Sequence, residues 1–333
     1  MIDVHAHAFF DELLGDSGGI GSSISRNSNG VNEIVVGNYR WPIGNATSLA
    51  DPPSARIDSL DEDGIDMQVL SLSPLWLLTH TPASVTAPFF RKANTLMAEW
   101  CSHDPARLGG FAALPTADIG RAVEELEYSV RQLGLVGGYI GTDARENLDD
   151  PDLDDLYAAC VDLDVPLFVH STVPGVDGPP GDPRLGRWSG NVTLGYPFEE
   201  TLAVTSLIFG KVLLRHPQLD VFISHGGGNF AYQHGRLRLF AGLPRSPITV
   251  EEFDEQVARI WLDTHVNSEP ALDTLRTVAN PQRLVFGTNY RGWDSGGIEE
   301  VAAIGDDVTR NAEQLLRLNK RPLNDPASKE THA

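Results

Sequence analysis

Cysteine is nearly missing from this chain of 333 residues. There are two, Cys101 and Cys160, and neither sits in a paired metal or redox motif. That argues against a disulfide framework or a zinc knuckle and leaves both as small apolar side chains for a core. Basic residues are also scarce: 25 Lys and Arg stand against 46 Asp and Glu, a formal net charge of −21. A nucleic-acid backbone or an anionic membrane surface needs basic patches, so neither partner is expected. Long hydrophobic runs are lacking too. The longest, "LAVTSLIFG", is halted by Lys211 and is too short to cross a bilayer. Asp3 and His5 interrupt any apolar start, so no signal peptide is expected and the reading is a soluble, cytoplasmic protein.

What the chain does have is a steady alternation. Apolar residues make up 41%, enough for a sizeable core. Eight short apolar runs read as strands: residues 2–7, 66–73, 109–115, 137–142, 166–172, 220–227, 259–266 and 283–289. Amphipathic stretches lie between most of them. "IGRAVEELEYSVRQLG" places Val123, Leu126 and Val130 along one helical stripe, with Gly134 as a C-cap. "DPDLDDLYAACVDLD" opens with helix-starting acids, and "EETLAVTSLIFGKVLLRHP" reads as one long helix stopped by Pro217. The pattern predicts an α/β fold, a (β/α)8 TIM-type barrel spanning residues 1–320 as a single domain. A doubly wound open sheet competes, but no glycine-rich phosphate loop follows the first strand. Residues 8–54 are too long for an ordinary loop and read as an insertion over the barrel mouth. Residues 321–333 read as a polar tail.

Polar residues gather at the ends of these strands. His5 and His7 are two apart on one strand and face the same side. His170 ends "PLFVHST", and His225 ends "VFISHGGG", whose glycines let a ligand approach the backbone. Asp263 and His265 stand near the end of the seventh strand, and Asn289 ends the eighth. Only His80, His103, His216 and His332 of the ten histidines fall outside a strand end and the turn or helix that follows it. A single inward histidine is usually a satisfied core group. This many, at the face where barrels keep their chemistry, point to a metal.

"DVHAH" at the start, "FVHS" in the middle, "SHGGG" later and "FGTN" near the end together resemble the amidohydrolase superfamily. The similarity is to its aminocarboxymuconate-semialdehyde decarboxylase-like branch and runs from residue 1 to about 320. The resemblance implies one divalent metal ion, most often Zn2+, held by His5, His7 and His170, with the residue at position 289 completing the shell. It implies His225 as general base or acid. It implies a small carboxylic acid as substrate, met by Arg40 in "VGNYRWP", and a homodimer in which Arg236 of "YQHGR" reaches the neighbouring subunit's site. Trp188 either lines the pocket or is an ordinary half-buried aromatic.

One position departs from the family. Where an Asp belongs, this chain has Asn289, which keeps a carbonyl oxygen but loses the charge and the exchangeable proton. Three explanations compete: a natural Asn289 with the reaction relying on His225; Asp294, five residues on, looping back to take the acid role; or a change engineered to trap a complex. The continuation "YRGWD" also departs from the family's Tyr-Pro, which favours the natural reading. The expected function is metal-dependent, non-oxidative decarboxylation of a small unsaturated or aromatic carboxylic acid. Hydrolysis or hydration at the same site, and an inactive binding scaffold, are the alternatives.

Overall fold

The computed structural model describes residues 1–16, 20–145, 147–296 and 305–320. The tail expected from 321 lies outside the described residues. Strands β1 (Ile2–Ala8), β5 (Met67–Leu72) and β6 (Leu108–Gly110) form one parallel sheet. Strands β7 (Ala112–Ala113), β8 (Gly138–Gly141), β9 (Leu167–His170), β10 (Val221–Ile223), β11 (Trp261–Asp263) and β12 (Leu284–Val285) form a second, also parallel and in sequence order. Between β1 and β5, strands β2 (Ser22–Arg26), β3 (Asn32–Val36) and β4 (Tyr39–Gly44) make a small antiparallel sheet. The helices are α1 (Pro53–Asp63), α2 (Ala83–Cys101), α3 (Ile119–Arg131), α4 (Asp154–Asp162), α5 (Tyr196–Phe209), α6 (Val212–Arg215), α7 (Phe230–Ala241), α8 (Val250–Val257), α9 (Glu269–Val278) and α10 (Gly305–Leu315).

The two parallel sheets meet at both edges. Strands β6 and β7 are one segment broken at Phe111. The Phe111 N–H reaches back to Leu70 O (2.8 Å), and the Ala112 N–H reaches forward to Gly137 O (2.8 Å). At the other edge Val4 N–H donates to Phe286 O and His7 N–H to Tyr290 O, both at 2.9 Å. Buried side chains reinforce this seam. Arg56 Nε donates to Gln68 Oε1 (2.5 Å) and Gln68 Nε2 to Asp3 Oδ2 (2.6 Å). Asp3 also accepts from the Thr288 hydroxyl (2.7 Å). All eight expected strands are present and surround one core in the (β/α)8 order, although the ladder is not continuous around it.

The strands read as nearly unbroken apolar runs because parallel strands are covered on both faces. Inside the ring an aromatic layer fills the centre: Phe168 stacks on Phe222 (4.4 Å between centroids) and packs against Phe111 and Tyr139. His5 sits edge-on to Phe168 at 5.4 Å, so this layer is the floor of the histidine cluster. Between Asp3 and Ala6 the pairing of β1 with β5 slips, an irregularity of the kind that re-aims side chains beside sites.

Three local expectations differ. The long helix breaks at Gly210 and Lys211, where Lys211 takes a left-handed conformation (φ 59°), so α5 and α6 are separate. Helix α3 is capped by Gln132, and Gly134 (φ 75°) turns the chain two residues later. Its buried stripe is Ala122, Leu126 and Ser129 with Glu125, while Val123 and Val130 are half-buried. Among the described residues no helix is long and apolar enough to cross a membrane.

Replacing Phe168 by Ala removes the centre of the aromatic layer. A loss of about 3–5 kcal/mol is expected, measured by chemical denaturation of the metal-free chain.

Candidate metal centre and active site

His5, His7 and His170 converge from β1 and β9. Their ring centroids lie 5.2 Å (His5–His7), 5.1 Å (His5–His170) and 4.9 Å (His7–His170) apart, set edge to face. All three are buried. Each has its Nδ1 occupied: His5 by Asp263 Oδ2 (2.6 Å), His7 by the Ser71 hydroxyl (2.9 Å) and His170 by Ser171 O (2.7 Å). Each leaves its Nε2 buried with no hydrogen-bond partner. Three orphaned nitrogens facing one another are costly unless something binds them. Fixing the rear nitrogen and freeing the front one is how proteins orient imidazoles toward a cation. Burial, followed by the neighbouring histidines, pushes all three imidazolium forms down, His7 to about 3. The rings are therefore neutral near pH 7, the state a cation requires. The residues fit a single divalent metal ion.

Asn289 stands beside them, buried and in a left-handed conformation (φ 48°). Its Nδ2 donates to Asp294 Oδ1 (2.6 Å) and faces His225 Nε2 (3.2 Å). Its Oδ1 is buried and unpartnered. The amide thus offers a free carbonyl oxygen to the same centre.

His225 follows β10 and also has positive φ, 50°. Its Nδ1 meets Glu200 Oε1 at 2.5 Å. Glu200, on α5 and fully buried, also accepts from the hydroxyls of Ser171 (3.1 Å) and Ser224 (2.7 Å). Burial alone would push the His225 imidazolium down. The Glu200 carboxylate, joined by Asp263 and Asp294, more than reverses this and raises it to about 9. The amide at Nε2 favours the neutral ring instead, so opposite demands meet on this side chain.

Asp263 binds these parts together. Besides His5, it accepts from the backbone N–H groups of His225 (3.0 Å), Gly226 (2.8 Å) and His265 (3.2 Å). Asp294 folds back into the site, as the sequence allowed, against Asn289, Asn267 and His265. Burial works against its charge, yet His265, His225 and Asn289 hold its carboxyl well below the usual range. Gly292 permits this fold-back, because a Cβ there would lie 2.2 Å from Asn289 Oδ1.

Beside the metal centre a cavity of about 450 Å³ opens to solvent, lined by His225, His265, Asn267 and Asp294 on one side and Tyr196 and Trp293 on another. Its size suits a small ring-bearing molecule. No Lys or Arg lines it among the described residues. The arginines expected at the substrate lie elsewhere in the single chain. Arg40 pairs with Glu33 across the small sheet (3.0 Å) and its side chain is 61% exposed. Its neighbour Trp41 is the one that reaches the centre, lining a small recess with His7, His170 and Asn289. Arg236 is exposed on α7. Trp188 is 82% exposed, under the guanidinium of Arg187 (4.2 Å), and lines neither space.

Sequence reasoning missed Glu200 and Ser71 as partners of site histidines. Glu200 lay in a stretch that read only as helix. The sole local hint was a serine beside each of His170 and His225.

An eight-stranded α/β ring with a histidine cluster and an oxygen donor at its strand ends defines a mononuclear metalloenzyme. The model of the amidohydrolase family matches residues 2–318, and the chain belongs to that family. It is 31% identical to a 2-amino-3-carboxymuconate-6-semialdehyde decarboxylase from Dictyostelium discoideum, over 72% of this chain and 66% of the relative. It is 27% identical to a 2-keto-4-carboxy-3-hexenedioate hydratase from Sphingobium sp., over 77% of this chain and 74% of the relative. A solved 5-carboxyvanillate decarboxylase from Novosphingobium aromaticivorans, with bound manganese and 3-methoxy-4-hydroxy-5-nitrobenzoic acid, superposes with a TM-score of 0.70. It is 23% identical, and the match covers 81% of this chain and 82% of that one.

Asp263→Asn keeps the shape but sets an NH2 group against N–H donors. Affinity for a divalent cation should fall roughly 10–100-fold, read by calorimetric titration of the metal-free protein.

Proposed function

We propose that this chain is a metal-dependent, non-oxidative decarboxylase of a small unsaturated or aromatic carboxylic acid. The observation that carries the reading is the joint placement of three free Nε2 atoms and the His225–Glu200 pair, with His7, His170 and His225 lining one small recess and His225 also lining the adjoining cavity. His5, His7, His170 and Asn289 would supply three imidazole nitrogens and one oxygen, a donor set that suits zinc. A bound cation supplies fixed positive charge that draws electron density from substrate oxygens.

The chain's own residues handle the proton. Loss of carbon dioxide breaks a carbon–carbon bond and leaves its electron pair on the substrate carbon. His225, which lines the cavity, delivers the proton that this carbon takes up. Glu200 holds the ring in place and stabilises its charged form. Asp294 and Tyr196 line the cavity beside it. Hydration is the second reading: a relative named as a hydratase supports it, as does the neutral Asn289.

We also propose a homodimer. Leu194, Phe198, Tyr232 and Leu239 are exposed apolar side chains on α5, α7 and the segment before α5, and Tyr232 also lines the cavity. Arg236 follows Tyr232 by one helical turn on the same face. A partner covering this face could bring its own Arg236 to a cavity that no Lys or Arg lines among the described residues.

Carbon dioxide release from a panel of hydroxylated benzoic and unsaturated dicarboxylic acids tests the chemistry. His225→Asn should lower kcat about 100- to 10,000-fold with metal content unchanged. Oxygen-18 from labelled water in the product, without carbon dioxide release, would mean hydration instead. Leu239→Glu with Phe198→Glu should shift the sedimentation coefficient from dimer to monomer.

A further inference from the structure

We infer that Asp294 is a positioning residue that supplies, through the Asn289 amide, the negative charge the inner shell lacks. The inference rests on the metal-site reading proposed above.

The amide's bonding inventory leads to it. An Asn side chain has two N–H donors and one carbonyl oxygen. Here the amide nitrogen lies 2.6 Å from Asp294 Oδ1 and 3.2 Å from His225 Nε2, while the oxygen is buried and free. Asp294 takes this amide N–H on one oxygen and the Asn267 amide N–H on the other, so the Asn289 nitrogen is held toward Asp294 and the carbonyl oxygen is left on the opposite branch of the amide. The orientation is fixed by these hydrogen bonds. A short bond from an amide N–H to an anion also polarises the amide and makes its carbonyl oxygen a stronger donor. The charge is thus split over two residues: a neutral oxygen at the centre and a carboxylate one hydrogen bond behind it.

The surrounding structure is built for this. Asn267 Nδ2 donates to the other Asp294 oxygen (2.7 Å), and His265 Nε2 lies 3.5 Å from it. The turn from Asn289 to Asp294 uses two left-handed non-glycine residues, Asn289 and Arg291 (φ 63°). Its Gly292 N–H closes onto Asn289 O (2.7 Å). Asp51 pins the turn from outside, accepting from the Tyr290 hydroxyl (3.0 Å) and Arg291 Nε (2.7 Å).

The test is binding of manganese(II) alone to the metal-free full chain, by calorimetry, in four forms: unchanged, Asp294→Asn, Asp294→Ser and the exchanged pair Asn289→Asp/Asp294→Asn. Both single variants should bind at least about tenfold more weakly. The exchanged pair should return to within about threefold of the unchanged chain, because the same bond is rebuilt with the carboxylate on the inner side. Circular dichroism of each metal-free form checks the fold, and the serine variant serves if the asparagine variant does not fold. Unchanged affinity in the single variants overturns the inference, as does an exchanged pair that stays as weak as Asp294→Asn. If the unchanged chain itself binds no manganese, the metal-site reading fails first.

Discussion

The buried carboxylate of Asp263 is the contact on which the site depends. Removing a carboxylate from water is costly, and burial alone pushes this one toward its neutral form. Four N–H groups offset part of the cost: the ring of His5 and the backbone of His225, Gly226 and His265. They come from β1 and from the turns after β10 and β11, so one side chain sets the distance between three strand ends. It also decides which His5 nitrogen faces the centre. Gly287 shows how close the packing is, since a Cβ there would meet His5 Cβ at 2.7 Å and Asp263 Cβ at 3.2 Å. Any residue larger than glycine would separate the eighth strand from the two groups it helps to hold.

From that contact the charge arrangement follows in tiers. The innermost tier is neutral: three imidazoles and an amide. Negative charge sits one hydrogen bond further out, with Asp263 behind His5, Glu200 behind His225 and Asp294 behind Asn289. Buried like charges repel strongly, so spacing three carboxylates around the cluster costs less than placing them together. Each one still acts at the centre through the group in front of it. A neutral inner residue at position 289 with a carboxylate behind it therefore repeats the arrangement of His5 and Asp263.

The strands were legible because parallel strands buried on both faces leave dense apolar runs, and the metal histidines because a two-residue spacing fixes a common face. What sequence could not give is direction and long-range pairing. His225 and Glu200 are 25 residues apart, and His5 and Asp263 are 258 apart. No local period encodes such a pair. Arg40 is instructive. It lies in the right segment, but strand alternation sends it to Glu33 and turns its neighbour Trp41 toward the centre. The break in the α5–α6 segment was hidden for another reason. Lys211 is an ordinary helix former, and only the left-handed turn it adopts after Gly210 reveals the end of α5.

The small sheet and the metal centre are mechanically joined through Asp51, which ends the stretch between the sheet and α1. Its carboxylate holds Tyr290 and Arg291, the two residues directly after Asn289. Arg56, one turn into α1, lies over the Tyr290 ring at 3.1 Å and continues through Gln68 to Asp3 at the barrel seam. The turn carrying Asn289 is therefore gripped from outside by the inserted segment and from inside by Asp294. Neither grip alone fixes a loop with two left-handed non-glycine residues, because each such residue costs about 1 kcal/mol or more relative to extended backbone. Together they over-determine it. The geometry of the inner amide is thus set by residues contributed from 238 positions upstream as well as five positions downstream.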